Sequence, residues 1–69
     1  MPKVSEEYFE NKKKLITDAT YNVCLRKPVG MVTMTDVIEE TGLSQGGIYR
    51  FYKNLDEILS DMITRMRVD

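Results

Sequence analysis

A chain of 69 residues has room for one small domain, and a formal charge of −1, from 11 acidic and 10 basic residues, excludes a strongly basic nucleic-acid binder. Its 42% apolar and 30% charged residues mark a folded globular domain, not a disordered tail. A single cysteine, Cys24, and the lack of histidine exclude an internal disulfide and the usual zinc spacings.

No metal or cofactor is therefore expected. The start, M-P-K-V-S-E-E-Y, has no apolar run of signal-peptide length, and no stretch approaches the roughly 18 apolar residues of a membrane span. A cytoplasmic, reduced protein is the expectation.

Residues 1 to 4 read as a loose arm containing Lys3. Ser5 can cap a long helix that has Glu6 and Glu7 in its first turn and ends near Lys27, because Pro28 bars its continuation. Tyr8, Phe9, Leu15, Ile16, Ala19, Val23 and Cys24 mark its apolar stripe. Lys12, Lys13 and Lys14 wrap around this helix, since successive residues are about 100° apart. They read as a solvated face, with one or two of them able to reach a phosphate or the minor groove alongside the arm.

Val29 to Val32 is a short connection to Thr33, whose hydroxyl can accept from the backbone N–H of Thr35 or Asp36 and cap a second helix over 34–41. Met34, Val37, Ile38 and Thr41 share one face of it. Glu39 and Glu40 diverge and read as solvated charges. Gly42 can end the helix at positive φ, Leu43 can return to the core, and Ser44 can cap a third helix over 45–52.

Helix, glycine turn, helix is the geometry of a DNA-binding helix-turn-helix. In the third helix Ile48 and Tyr52 can face the core. Gln45, Gly46, Tyr49, Arg50 and Lys53 then fall mostly on the other side, which carries no carboxylate. Two glycines, Gly46 and Gly47, cost roughly 0.5–1 kcal/mol each against alanine, and close approach of the backbone to another surface is a reason to keep them. Asn54 and Glu57 have the spacing of a capping box for a fourth helix over 55–67. Leu55, Ile58, Leu59, Met62, Ile63 and Met66 give it an apolar stripe too broad to stand alone. The fold expected is all-α: four helices, three forming the core.

The segment G-L-S-Q-G-G-I-Y-R-F-Y-K-N-L-D-E-I-L, preceded by T-M-T-D-V-I-E-E-T, resembles the N-terminal helix-turn-helix DNA-binding domain of the tetracycline-repressor (TetR) family of transcriptional regulators, over about Leu15 to Met66. The resemblance implies sequence-specific binding of double-stranded DNA, with residues 45–52 in the major groove. It implies a larger C-terminal ligand-binding and dimerisation domain, which these 69 residues do not contain, and a homodimer in a full-length form. The short chain alone could stay monomeric. In the family the tyrosine matching Tyr49 bonds a backbone phosphate, and the position of Thr35 also meets DNA. The chain departs from the pattern at Leu55, where a phosphate-pairing lysine is usual, at Pro28 in place of a glycine, and at Cys24 in place of an aromatic.

The DNA-binding residues expected are Thr33, Thr35, Ser44, Gln45, Gly46, Gly47, Tyr49, Arg50 and Lys53. An amide such as Gln45 matches adenine N6/N7 and a guanidinium such as Arg50 matches guanine O6/N7. Lys53 and the helix N-termini at Thr33 and Ser44 suit phosphate. Each also has a plainer reading: Tyr49 as a packing ring, Arg50 as a solvated cation, the glycines as a loose helix start. Phe51 falls at the rim, where it could meet a thymine methyl or support Arg50.

Catalysis is not expected. There is no histidine base, Cys24 lies on an apolar face, and Gly46-Gly47 lacks the phosphate-loop pattern. The competing function is a protein-interaction module on the same scaffold, docking a helix through the Leu55 to Met66 stripe.

Overall fold

A computed structural model describes residues 4–67, and side chains within that range from Glu6 onward. The expected arm residue Lys3 lies outside the described residues, while Val4 and Ser5 are already helical, so α1 begins before Ser5 and Ser5 is not its cap. Four α-helices follow in order: α1 (Val4–Arg26), α2 (Met34–Thr41), α3 (Gln45–Tyr49) and α4 (Leu55–Arg67). The all-α, four-helix expectation holds. A turn of 3-10 helix at Val29–Met31 occupies what the sequence presented as a plain connection.

α1 stops because proline cannot follow on. Lys27 N–H still donates to the Val23 carbonyl at 3.1 Å, and Pro28 then turns extended, at φ −59° and ψ 145°. The 3-10 turn closes through Met31 N–H to the Pro28 carbonyl at 2.8 Å, which exposes Val29 and Met31 and drops Val32 into the core.

The buried stripe of α1 is narrower than expected. Ile16, Ala19 and Val23 are buried, but Tyr8, Phe9 and Leu15 are 54%, 43% and 41% exposed. Thr17 and Thr20 fill the interior in their place. Each can do so because its hydroxyl donates to a carbonyl one turn back, Thr20 to Ile16 at 2.8 Å and Thr17 to Lys13 at 2.9 Å. The core proper joins Ile16, Val23, Val32, Val37, Ile48, Tyr52 and Ile58, with Cys24 half-buried against it.

Thr33 and Asp36 form a reciprocal capping box: Asp36 N–H donates to Thr33 Oγ at 3.2 Å and Thr33 N–H to Asp36 Oδ2 at 3.0 Å. At the other end Gly42 takes φ 77°, where a side chain would be strained, and donates to the Ile38 carbonyl at 3.1 Å. Thr41 stitches the turn shut, donating to the Ile38 carbonyl and accepting from Leu43 N–H, both at 3.0 Å.

α3 is shorter than the 45–52 span predicted. Beyond Tyr49 the Ile48 carbonyl accepts from both Phe51 N–H at 2.9 Å and Tyr52 N–H at 3.1 Å. That tighter bond to Phe51 ends the regular helix. It still leaves both Ile48 and Tyr52 in the core.

The cap of α4 is displaced by one residue from the expected box. Asn54 Oδ1 accepts from Glu57 N–H at 3.0 Å, but the Glu57 carboxylate returns to Lys53 N–H at 2.8 Å, not to Asn54. Ile58 and Met62 are buried, while Ile63 and Met66 stay 50% and 55% exposed.

Ion pairs tie α1 to its neighbours. Arg26 meets Glu40 and Lys27 meets Asp36, each at 3.0 Å, and Arg65 reaches Glu10 at 3.2 Å. Glu40 stays exposed, as expected of it, and pairs with Arg26 because the C-terminal turn of α1 ends within its reach. No described helix is long and apolar enough to cross a membrane.

Candidate nucleic-acid interface

From Thr41 to Leu55 the chain carries no acidic residue, and this is the stretch that builds α3. Gln45, Gly46, Tyr49, Arg50 and Lys53 are all exposed, with Tyr49 at 42%. Burial of Ile48 sets this arrangement, because pinning one side of a short helix turns the residues around it outward. Among the described residues the Tyr49 hydroxyl, the Arg50 guanidinium and the Lys53 ammonium have no hydrogen-bonding or ion-pair partner. The face is polar and cationic, and its donors are uncommitted.

The two glycines differ. A Cβ on Gly46 would meet nothing within 4 Å, whereas one on Gly47 would stand 3.3 Å from Ser44 Oγ and 3.9 Å from Leu43 Cβ. Glycine at 47 leaves the capping hydroxyl room, since a Cβ there would crowd the Ser44 Oγ that accepts from Gly47 N–H at 3.0 Å. Gly46 has no such internal reason.

Ser44 and Thr33 both spend an oxygen lone pair on capping, which leaves each exposed hydroxyl its proton to donate. Thr35 is exposed in the first turn of α2. Phe51 sits at the rim, as helical phase expects, and lines the surface beside Arg50. It packs half-buried against the core and edge-to-face on Phe9, with ring centroids 5.6 Å apart.

The lysine run of α1, which the sequence left able to reach a phosphate, brings one member beside α3. Tyr8, Lys12, Leu43, Gly47, Arg50 and Phe51 line one shallow cleft of about 80 Å³ beside α3. Lys12 Nζ lies 5.5 Å from the centroid of the Tyr8 ring, a cation-π contact across one helical turn. The i, i+4 spacing of an aromatic and a lysine was the available signal.

Behind the face, Tyr52 and α4 are joined by charge. The Tyr52 hydroxyl donates to Asp61 Oδ2 at 2.5 Å, and Arg65 Nε donates to the same oxygen at 2.9 Å. Burial, then the Asp61 carboxylate, pushes the Tyr52 hydroxyl well above the usual phenol range. Partial burial pushes the Asp61 carboxyl up, but hydrogen bonds from Tyr52 and Arg65 outweigh it and hold the group below its ordinary value. The Lys27 ammonium and then the Thr33 N–H hold Asp36 low as well.

Over 62 residues, which are 90% of this chain and 30% of the relative, the sequence is 36% identical to a Bacillus subtilis (strain 168) protein named "Uncharacterized HTH-type transcriptional regulator YfiR". The chain is thus similar to a helix-turn-helix regulator. It spans less than a third of that relative's length. No family model matches the chain, and no solved structure matches it.

Proposed function

We propose that the chain is the DNA-binding part of a TetR-like transcriptional repressor, acting in the cytoplasm on double-stranded operator DNA. The observation that carries this reading is the exposed, carboxylate-free face of a helix whose Ser44 cap and buried Ile48 fix its orientation. In a duplex complex α3 would lie in the major groove with α2 across the backbone. Tyr49, Lys53, Thr33, Thr35 and Ser44 would take phosphates. Gln45 and Arg50 would address base edges, and Gly46 and Gly47 would let the backbone come close. The likeness to a named helix-turn-helix regulator supports the class of activity. The sequence resemblance to the TetR family supports the finer assignment, including a homodimer in a longer form. Regulation by binding needs no catalysis, and the site offers no nucleophile paired with a base.

Selection from a random duplex-DNA pool at two salt concentrations, with Tyr49→Ala alongside, tests this. Enrichment of a short motif that the variant loses is the expected result. Binding that ignores both sequence and salt would overturn it.

One observation favours a second reading, a protein-docking module. A groove of about 570 Å³ runs between α1 and α4, where Tyr21, Met62 and Met66 stand among Lys14, Asp18 and Arg65. Apolar docking there would show little salt dependence, whereas DNA binding releases counterions and weakens steeply with salt.

A further inference from the structure

We infer that Lys12, on α1, holds a backbone phosphate of the bound duplex, with Tyr8 as the residue that positions it. The inference rests on the DNA-binding reading and adds a contact to it from outside the helix-turn-helix.

Three consecutive lysines on one helix point in different directions, and the structure sorts them. Lys14 donates to Asp18 at 3.2 Å and is paired there on the solvent side. Lys13 lies toward α4, close enough for its charge to help hold the Asp61 carboxyl down. Lys12 alone of the three lines the cleft beside α3.

The Lys12 ammonium is held in place from below. It sits 5.5 Å from the Tyr8 centroid, Tyr8 meets Phe9 edge-on at 5.7 Å, and Phe9 meets Phe51 at 5.6 Å. This run of rings connects the start of α1 to the residue that closes α3, so the ammonium is registered against the α3 face through packed side chains. Arg50 lines the same cleft, no carboxylate lines it, and neither cation has an ion-pair partner among the described residues. Two like charges around one small concavity repel each other and are relieved by an anion between or beside them. The cleft is shallow and admits an anionic oxygen. Next to a helix directed into the major groove, the anion within reach is a strand phosphate. A phosphate contact of this kind is blind to sequence.

The test measures binding of a short mixed-sequence duplex across a series of potassium chloride concentrations for wild type, Lys12→Gln, Lys14→Gln, Tyr8→Phe and Tyr8→Ala. Lys12→Gln should lower affinity about fivefold to tenfold at low salt and reduce the slope of log K against log salt by about 0.9, the loss of one phosphate contact. Lys14→Gln should leave slope and affinity near wild type. Tyr8→Phe keeps the ring and should bind as wild type, whereas Tyr8→Ala should lose about twofold to threefold in affinity at an unchanged slope, because the charge is still present. A merely structural role for Tyr8 would show as a lowered unfolding midpoint in both Tyr8 variants, or as equal loss with the Lys12→Gln background, and would overturn the positioning role.

Wild-type binding with a steep slope that Lys12→Gln does not change would overturn the inference and leave the DNA-binding reading intact. Absence of salt-sensitive binding by wild type would overturn both. Titration with inorganic phosphate separates the two sources of the anion: saturable binding lost in Lys12→Gln, without any effect of that variant on the duplex, would assign the cleft to a free anion and overturn the strand contact.

Discussion

The Tyr52 hydroxyl donates to Asp61 Oδ2 at 2.5 Å, joining the residue that ends the helix-turn-helix to the middle of α4. Tyr52 is 5% exposed, so its ring belongs to the core while its oxygen reaches the half-buried carboxylate that Arg65 also holds. Arg65 in turn reaches Glu10 on α1. Orientation of the α3 face against the rest of the domain is therefore fixed from behind by one tyrosine and a charged chain across α4 and α1.

Tyr52→Phe keeps the ring and removes the bond. A hydrogen bond to a charged acceptor at such a site is worth about 1.5 kcal/mol or more, which in a domain this small lowers the thermal midpoint by on the order of 10 °C. Tyr52→Phe combined with Asp61→Asn should cost less than the sum of the two single changes, because both act on one bond. Strict additivity in thermal melts of the four proteins would show that the pair is not coupled.

Acid should weaken the fold through Asp36 and Asp61. Lys27 first and the Thr33 N–H second hold Asp36 low; for Asp61, burial pushes upward but the bonds from Tyr52 and Arg65 prevail. A carboxyl whose pKa is lower folded than unfolded gives stability that is complete above the unfolded value of about 3.9 and is lost as pH falls through the folded value. Urea midpoints should thus be flat from about pH 7 to 5 and drop below about pH 4, and Asp36→Asn should shrink that drop. A midpoint that rose on acidification would contradict the sign.

Much of this was legible in the sequence because it is local. Thr33 with Asp36, Gly42, and Ser44 with the residues that follow signal their elements by short-range hydrogen bonding, and the structure makes each of those bonds. What was not legible depended on partners distant in the chain. Helical phase puts Phe51 at the rim, where it lies, but its edge-to-face contact with Phe9 depends on where α1 runs. Thr17 and Thr20 are buried because each returns its hydroxyl to the backbone of its own helix, so a purely apolar stripe does not find them. Glu40 could not be paired with Arg26 until the approach of α2 to α1 was known. Lys12 was one of three equivalent lysines until the ring contacts separated it from Lys13 and Lys14.

The glycine pair separates folding from binding. Gly46→Ala adds a Cβ in open space and should stabilise α3 by roughly 0.5–1 kcal/mol while weakening duplex binding. Gly47→Ala forces the Ser44 hydroxyl to give way, so its helix-propensity gain is offset and it should melt below Gly46→Ala. Ser44→Ala, which removes the cap outright, should cost about 1 kcal/mol. Chemical denaturation of the three variants gives the order, and a Gly46→Ala protein that binds DNA as tightly as wild type would remove Gly46 from the interface.

Arg50 and Lys53 are both exposed and unpaired among the described residues, yet they are expected to fail differently. Arg50 follows directly on α3 and has the planar fork that matches a guanine edge, so Arg50→Ala should cost about 1–3 kcal/mol on the preferred site and relax the choice at one base pair. Lys53 lies beyond the bend, where its backbone already serves the cap of α4 through Glu57, and its ammonium is free to meet a strand. Lys53→Ala should weaken all sequences alike and flatten the salt slope by about one. Titrating both variants against the selected site and a single-base variant of it, at two salt concentrations, distinguishes the roles. Equal loss on both duplexes for Arg50→Ala would make it a phosphate contact. Together with Lys12 it would then clamp one strand from both walls of the cleft, leaving Gln45 and the Gly46 backbone to read the bases.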